Sequence, residues 1–347
     1  MKILRLGRVA IGLSVLLLAS FSLASPPAGD YHLLKKVSLS AAPGGGEYFD
    51  YLTFDASARR VYLSHGTEVK VVEADTGTEV GSIAGLKRCH GIALVNELGK
   101  GFITDGSAAK VVIFDIATLK TTGEIKTEPD ADAIIYDTAS KHVFAFNGDS
   151  RTATVIDPVK GIVIKSLPLG GAPEFAAADG KGMIYDNLED GNAVVVIDSV
   201  SLTVKSKWPV TPAGAPTAMA MDRQHRRLFS SGRNPQMVVM MDADSGKVLQ
   251  SFPISGGADA NVFDPETGML YVSTREGKVH IFHEDSPDKL SEVGTLETEF
   301  GAKTMAVDPK THNLYLTTAD FAAPSGGQPN QRRAPVPGTF HLLIYGR

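Results

Sequence analysis

The chain has 347 residues and a formal net charge of −5, with 43% hydrophobic and 21% charged residues. Such a composition can bury a substantial core, which excludes an intrinsically disordered protein. The one cysteine, Cys89, excludes an intramolecular disulfide and the paired-cysteine attachment of a c-type haem. Its thiol is either buried and inert, the interpretation that we favour, or reactive or metal-binding.

Residues 1–24 are predicted to be a signal peptide. Three basic residues, a short apolar run and a small-residue cleavage site follow one another: Lys2, Arg5 and Arg8, then Val9 to Leu18, then Ser22-Leu23-Ala24. The alternative is an uncleaved membrane anchor, which the shortness of the apolar run disfavours. Cleavage near Ser25 predicts a periplasmic or secreted protein with no membrane segment. It would leave 31 basic against 39 acidic residues, a balance of −8 that disfavours general nucleic-acid binding.

From about residue 47 onward, a pattern of short strand-like runs recurs seven times, with four runs in each of the first six repeats. The middle of the second run holds an aromatic or apolar residue at intervals of 40 to 45 positions: Tyr62, Phe102, Phe144, Ile184, Phe229, Tyr271 and Tyr315. The runs are too short and too β-branched for helices, and turns interrupt them. Four strands in such a period are typical of a β-propeller blade. The sequence therefore predicts an all-β fold, a single seven-bladed β-propeller over residues 25–347.

The seventh repeat lacks a fourth run, while an extra strand-like segment precedes the first repeat. Residues 31–39 form that segment, and the seventh repeat ends with the run His341–Tyr345. Pairing the two would cover an exposed strand edge. We therefore expect residues 31–39 to be the outer strand of blade 7 and to close the ring.

Several of the repeated runs resemble a known repeat. The runs Ala-Thr-Val-Ile-Asp-Pro at 153–158 and Val-Val-Val-Ile-Asp-Ser at 194–199, with Leu270-Tyr271-Val272-Ser273, resemble the 40-residue YVTN-repeat propellers. Over residues 31–347 the chain resembles an exported, YncE-like member of that family, although no repeat carries Tyr-Val-Thr-Asn itself. The resemblance implies an extracytoplasmic propeller with a WD40/YVTN-like repeat. It implies no reaction, because propellers host binding, scaffolding and catalysis alike.

Equivalent positions of the repeats predict which side chains face the central channel. Twelve residues before the repeat aromatic, with blade 4 corrected for a turn that is two residues shorter, the first strands begin with Asp50, His90, Asp132, Glu174, Thr217, Asp259 and Lys303. Three residues after the aromatic, a rim position carries His65, Asp105, Asn147 and Asn187 in blades 1 to 4. Four carboxylates around one channel repel each other unless a cation, a ligand or a raised pKa relieves them. The alternative is a set of solvated strand ends, since Asp and Asn are common turn formers.

These positions give nine candidates for ligand or metal binding: Asp50, His65, His90, Asp105, Asp132, Asn147, Glu174, Asn187 and Asp259. Carboxylate, amide and imidazole groups bind Ca²⁺, Mg²⁺, Mn²⁺ or Zn²⁺, so a divalent cation is a candidate cofactor. We expect a monomeric binding or scaffold protein that presents an acidic channel mouth to a protein, peptide or small molecule. The alternative is a metal-dependent, lactonase-like hydrolase at the same mouth. No motif identifies a catalytic residue, so enzymatic activity stays open.

A Pro- and Gly-rich insertion occupies residues 319–338, on the rim of the seventh repeat. It carries Arg332 and Arg333 at its centre. Loops of this length in compact domains are usually functional or disordered. The two interpretations are a lid over the acidic mouth and a mobile surface loop.

Overall fold

The computed structural model describes residues 31–44, 47–323 and 333–347. The predicted signal peptide and Arg332 lie outside the described residues. Within them the regular secondary structure is almost wholly β-strand, with two single 3-10 turns at Asn96–Leu98 and Gly106–Ala108. No helix in this part of the chain is both long and apolar enough to cross a membrane.

The described strands form seven antiparallel sheets of four strands each. The innermost strands are β2 (Phe49–Asp55), β6 (Cys89–Val95), β10 (Ala131–Asp137), β14 (Pro173–Ala178), β18 (Pro216–Asp222), β22 (Ala258–Asp264) and β26 (Met305–Val307). The second strands are β3 (Arg60–His65), β7 (Lys100–Asp105), β11 (His142–Asn147), β15 (Met183–Leu188), β19 (Arg227–Arg233), β23 (Met269–Thr274) and β27 (Leu314–Thr318). The third strands are β4 (Glu68–Glu73), β8 (Lys110–Asp115), β12 (Thr152–Asp157), β16 (Ala193–Asp198), β20 (Gln236–Asp242), β24 (Lys278–Ser286) and β28 (His341–Gly346). The outer strands are β5 (Glu79–Ala84), β9 (Thr121–Lys126), β13 (Ile162–Pro168), β17 (Thr203–Pro209), β21 (Val248–Pro253), β25 (Lys289–Glu297) and β1 (His32–Ser38).

The sheets are arranged as blades around a closed ring. Innermost strands of neighbouring blades contact each other all the way round, including β2 with β26. Seven apolar clusters fill the spaces between adjacent blades, so each blade is held by its two neighbours. The predicted seven-bladed β-propeller is confirmed.

The N-terminal strand closes the last blade. β1 pairs antiparallel with β28, from His32 opposite Gly346 to Ser38 opposite His341. The hydroxyl of Tyr31 donates to the carbonyl of His312 at 3.0 Å, which fixes the start of this strand on blade 7. The predicted closing strand is therefore confirmed.

The cross-strand register corrects one repeat position. In blade 3, Phe144 lies opposite Val155, and the ladder shifts just beyond that pair. In blade 4 the same place is taken by Tyr185, opposite Val196. The assignment of Ile184 to this position is therefore wrong by one residue. With the correction, a buried aromatic stands in every blade: Tyr62, Phe102, Phe144, Tyr185, Phe229, Tyr271 and Tyr315.

Candidate functional site

Near the start of six innermost strands, the pairing with the second strand of the blade is irregular. The register shifts between Phe49 and Leu52 in β2 and between Cys89 and Ile92 in β6. The same shift recurs near the start of β10, β14, β18 and β22. A β-bulge interrupts the strict alternation of faces and re-aims a side chain. The bulges therefore allow the polar residues at these strand starts to face the ring axis.

These residues surround an inner chamber of about 210 Å³. Five of the nine candidates predicted from the sequence line it: Asp50, His90, Asp132, Glu174 and Asp259. The rest of the lining consists of Tyr48, Tyr51, Arg88, Asp130, Arg233 and Lys303. Thr217, at the equivalent position of blade 5, donates instead to the carbonyl of Ala258 at 2.8 Å.

Lys303 joins two of the carboxylates. Its ammonium nitrogen lies 3.1 Å from Asp50 Oδ1 and also contacts Asp259 Oδ2. The other oxygen of Asp259 contacts the guanidinium of Arg233. Burial alone would lower the pKa of Lys303, but Asp259 and Asp50 outweigh burial and raise it. The ammonium is therefore charged at neutral pH.

His90 joins Asp50 to a further carboxylate. Its Nδ1 lies 2.8 Å from Asp50 Oδ2 and 2.9 Å from Asp132 Oδ1. The hydroxyl of Tyr48 also donates to Asp50, at 2.9 Å. Burial alone would lower the pKa of His90, but Asp132 and Asp50 outweigh burial and raise it to about 10. The ring is therefore an imidazolium at neutral pH. Its Nδ1–H donates to Asp50 Oδ2, so Asp132 Oδ1 has no hydrogen-bond partner among the described residues.

The carboxylates of the chamber differ in their preference for a proton. Burial raises the pKa of Asp50, but Lys303 and His90 outweigh it and hold the pKa below its usual range. Burial raises the pKa of Asp132. Burial and the nearby Asp132 raise the pKa of Glu174 well above its usual value. The protein's own cations and the raised pKa of Glu174 thus relieve the repulsion for which the sequence suggested a cation, a ligand or a raised pKa.

The donor atoms of Asp50, His90 and Asp132 lie within 4.8 Å of one another and could in number hold a divalent ion. An ion would have to displace the proton of the imidazolium. With a His90 pKa of about 10, that displacement costs roughly 4 kcal/mol at pH 7, at 1.36 kcal/mol per pKa unit. The arrangement fits a charge network within the protein better than a metal centre.

The rim residues do not line the chamber. His65 Nε2 lies 2.7 Å from Glu47 Oε2, and its ring stacks on Phe340 with centroids 4.0 Å apart. Asp105 accepts two backbone N–H groups of the preceding turn, at 2.9 and 3.0 Å. Asn147 donates to hydroxyl groups of its own blade at 3.0 Å. All three are fully buried and have local structural contacts.

Asn187 was assigned to the rim by the same one-residue error as Ile184. Leu188 lies opposite Pro173, whereas in blade 3 Asn147 lies opposite Ala131. The rim position of blade 4 is therefore Leu188. Asn187 donates to the carbonyl of Ala218 in the next blade at 3.0 Å, so it joins two blades.

An outer chamber of about 640 Å³ lies above the inner one and shares part of its wall. Five cationic side chains line it: Arg88, Arg233, Arg275, Arg333 and Lys303. Two carboxylates accompany them, Glu47 and Asp259, and the remaining wall is largely apolar. The outer part of the mouth that was predicted to be acidic is therefore lined mainly by cations.

The two described arms of the insertion at 319–338 pair with each other beside the outer chamber. Phe321 forms a bridge with Pro335. The ring of Phe321 meets that of Phe300 edge to face with centroids 5.0 Å apart. The guanidinium of Arg333 lies 4.7 Å from the centre of the same Phe300 ring. This places Arg333 in the chamber wall, while the lid interpretation stays a prediction.

The sequence analysis missed several residues of the wall. One set stands two residues before the first-strand position: Tyr48, Arg88, Asp130, Gly257 and Gly301. Another follows the rim position directly, Arg233 in blade 5 and Arg275 in blade 6. Extending the comparison of repeats by these two positions would have found them.

Cys89 has no part in either chamber. It is fully buried, and its thiol donates to the carbonyl of Glu68 at 3.1 Å. Burial raises the pKa of the thiol to about 12. These surroundings agree with the inert interpretation.

No protein-family model and no curated protein sequence matches the chain. Among solved structures, it is similar to hydrazine synthase of Kuenenia stuttgartiensis, with a TM-score of 0.70 and 16% identity over 79% of this chain and 93% of that one. It is also similar to the WD40 repeats of RRP9, with a TM-score of 0.73 and 8% identity over 92% of this chain and 99% of the other. At such identities the likeness is one of fold: the chain is a seven-bladed β-propeller with WD40-like neighbours.

Proposed function

We propose that the protein is an exported ligand-binding propeller whose outer chamber takes a small organic anion. The observation that carries the proposal is the excess of cations, five against two carboxylates, in a cavity of about 640 Å³. Small-molecule sites commonly enclose about 300–1,000 Å³ and combine an apolar wall with a few polar groups. The export assignment and the YVTN-repeat family are supported by residues 1–24 and by the repeated strands.

Two of the cations are well suited to an incoming anion. The guanidinium of Arg88 lies 4.3 Å from the centre of the Tyr48 ring, and that of Arg333 lies over Phe300. Neither guanidinium forms a salt bridge with any of the described residues. A stacked guanidinium keeps its N–H groups at the plane edge, where they can bind a carboxylate or phosphate with two hydrogen bonds.

The rest of the wall indicates the other half of the ligand. Phe49, Phe321 and Pro335 give the chamber an apolar side next to the cations. A ligand that satisfies both parts carries a carboxylate, sulfonate or phosphate on an aromatic or other flat apolar group. The floor, where the outer chamber meets Lys303 and Asp259, offers donors and acceptors to a second polar group.

Binding of a matched pair of probes tests the proposal. We expect 2-naphthoate to raise the melting temperature of the mature protein and to give a measurable Kd by calorimetry, while neutral 2-naphthamide does neither. Arg88→Gln and Arg333→Gln should each weaken binding about 10- to 100-fold, since a hydrogen bond to a charged group contributes roughly 1.5–3 kcal/mol.

Arg223→Gln is the matched control, because Arg223 lies among the residues at the opposite end of the ring. Its Kd should equal that of the unchanged protein. Equal binding of the acid and the amide, or binding that survives both chamber substitutions, would contradict an anion site.

A metal-dependent hydrolase is a second candidate, supported by the grouping of Asp50, His90 and Asp132. It predicts an equivalent of divalent ion that is lost on His90→Gln, together with hydrolysis of a lactone or ester. Metal analysis of both the unchanged protein and His90→Gln decides between the two functions, because the anion site needs no ion that depends on His90.

A further inference from the structure

Six innermost strands end at a buried aspartate or directly before one, at the end of the ring opposite the inner chamber: Asp55, Asp137, Asp179, Asp222, Asp264 and Asp308. In five of them the carboxylate contacts a donor of the following blade. The pairs are Asp308 with Arg59 at 2.7 Å, Asp179 with Arg226 at 3.0 Å, Asp264 with His312 at 2.7 Å, Asp137 with Ser199 at 2.6 Å and Asp55 with Asn96 at 3.4 Å. The same contact therefore recurs between neighbouring blades: a carboxylate at a strand end is bound by a donor of the next blade.

The donors come mainly from one place in the repeat. Arg59, Arg226 and His312 all stand in the turn before the second strand, with positive φ angles of 55°, 57° and 59°. In blade 6 that place is taken by Gly268, with a φ of 67°. Gly268 has no side chain to offer, so Asp222 of blade 5 receives no cation from this position.

The other donor position is taken by an acid in blade 6. Ser199, which binds Asp137, stands three residues after Val196, the partner of the repeat aromatic Tyr185. The equivalent residue, three after Ile281, is Glu284. Asp222 therefore faces a second carboxylate at the place where Ser199 donates to Asp137 in blades 3 and 4.

Both carboxylates are deeply buried, but only that of Asp222 is fully hydrogen-bonded, by the backbone N–H groups of Gln224 and His225 at 2.8 and 3.1 Å. Each side chain is only 3% exposed, and Glu284 Oε1 has no hydrogen-bond partner in the part of the chain that the structure describes. Arg227 is the nearby cation, but its guanidinium binds Asp242 at 2.9 Å and Asp288 at 2.7 Å. Two buried carboxylates therefore lie side by side, and the guanidinium of Arg227 is engaged by other partners.

A histidine completes the group. His225 Nδ1 lies 2.6 Å from Asp222 Oδ2 and 3.7 Å from Glu284 Oε2. Despite this close contact, His225 Nδ1 forms no hydrogen bond with any of the described residues. The ligand atoms of the three residues all lie within 4.8 Å of one another. One nitrogen and two carboxylate oxygens are a donor set that Zn²⁺ accepts in proteins.

We propose that Asp222, His225 and Glu284 bind a divalent transition metal ion, with Zn²⁺ as the best match, which joins blades 5 and 6. The ion takes the place of the donor that the next blade supplies at the other junctions. The side chain of His225 is 37% exposed, so a water molecule can reach the fourth position of a tetrahedral site.

Zinc titration of the chelator-treated mature protein tests the site. We expect one equivalent of Zn²⁺ to bind by calorimetry and to raise the melting temperature. Glu284→Gln should weaken zinc binding by more than about 100-fold, beyond the loss typical of a change outside the ligand shell. Its amide can donate to Asp222, so in EDTA this variant should melt at or above the temperature of the unchanged protein.

A second variant tests the repeat argument itself. Gly268→Arg places a cation at the position from which Arg59 and Arg226 bind the aspartate of the preceding blade, with a φ close to theirs. The new guanidinium should bind Asp222, so zinc should no longer stabilise this variant. His90→Gln, in the inner chamber, should leave zinc binding unchanged. Failure of the unchanged protein to bind zinc, undiminished binding by Glu284→Gln, or loss of binding on His90→Gln would each overturn the proposal.

Discussion

At one end of the ring, Asp50, Asp132 and Asp259 share two cations, His90 and Lys303. At the other end, most of the buried aspartates have a donor of their own from the next blade, as Asp179 has Arg226. Both sets lie at the ends of the same innermost strands. The difference shows that carboxylates at strand ends become a joint network only where bulges bring them to one chamber. Separate pairs hold blades together, whereas a network creates a polar surface that a ligand can meet.

Removal of Lys303 should have the largest effect on stability. Lys303→Met leaves Asp50 and Asp259 without the ammonium that they share. Loss of one partner of a buried ion pair typically costs about 3–5 kcal/mol. Urea unfolding should show a decrease of that size in the free energy of unfolding.

Lys110→Met is the control for this experiment. Lys110 is as buried as Lys303, but its partner Glu124 is more than half exposed. The control should lose less than about 1 kcal/mol, as surface pairs do. Equal losses for the two variants would show that the network is no more than a set of surface pairs.

The charge on His90 should make the chamber end sensitive to high pH. The pKa of His90 is raised from 6.5 to about 10 in the folded protein. Its stabilisation is therefore complete below pH 6.5 and is lost as the pH rises through about 10. Between pH 7 and pH 10.5 the loss amounts to roughly 3–4 kcal/mol.

The stabilisation by charged His90 is measured by denaturant unfolding of the unchanged protein and of His90→Gln across that pH range. The variant should be less stable at pH 7, and the difference should shrink toward pH 10.5. A difference that stays constant with pH would contradict an imidazolium at this position.

Single pairs at the opposite end should show smaller effects. Arg226→Ala removes the donor of Asp179 and should cost about 1–3 kcal/mol, because a buried carboxylate loses a charged hydrogen bond. Lys141 stands at the same place in blade 3, but the preceding innermost strand ends in Val95, and its partner Glu97 is exposed. Lys141→Ala should therefore cost less than about 0.5 kcal/mol. Urea unfolding of the two variants checks whether Arg226→Ala loses more free energy of unfolding than Lys141→Ala does.

The fold followed from the sequence because the repeat is long and its physical signal is simple. Seven periods with buried aromatics left little choice of architecture, and an unpaired edge at His341–Tyr345 required a partner such as residues 31–39. The error at Ile184 arose because Ile184 and Tyr185 are both large side chains that suit a buried strand position. Only the pairing register shows which of two adjacent residues lies opposite Val196.

Part of the candidate site could be predicted from the sequence. Matched positions identified Asp50, His90 and Glu174, because a repeat places equivalent residues at equivalent points. The charge of the mouth was misjudged, since Arg88 and Arg233 stand outside the two positions that were compared. Spacing along the chain also does not show that Asp50 meets both Lys303 and His90, which belong to blades at opposite ends of the sequence.

The pairing of β1 with β28 sets an order of events during synthesis. His32 and Gly346 are 314 positions apart, so the ladder between them forms only after the last strand has been made. Contacts between such distant segments slow folding because a long loop must be closed first. Until then the exposed edge of blade 7 is available for wrong partners, including other chains. A factor that holds the first strand in an extended state should therefore raise the yield of correctly folded protein.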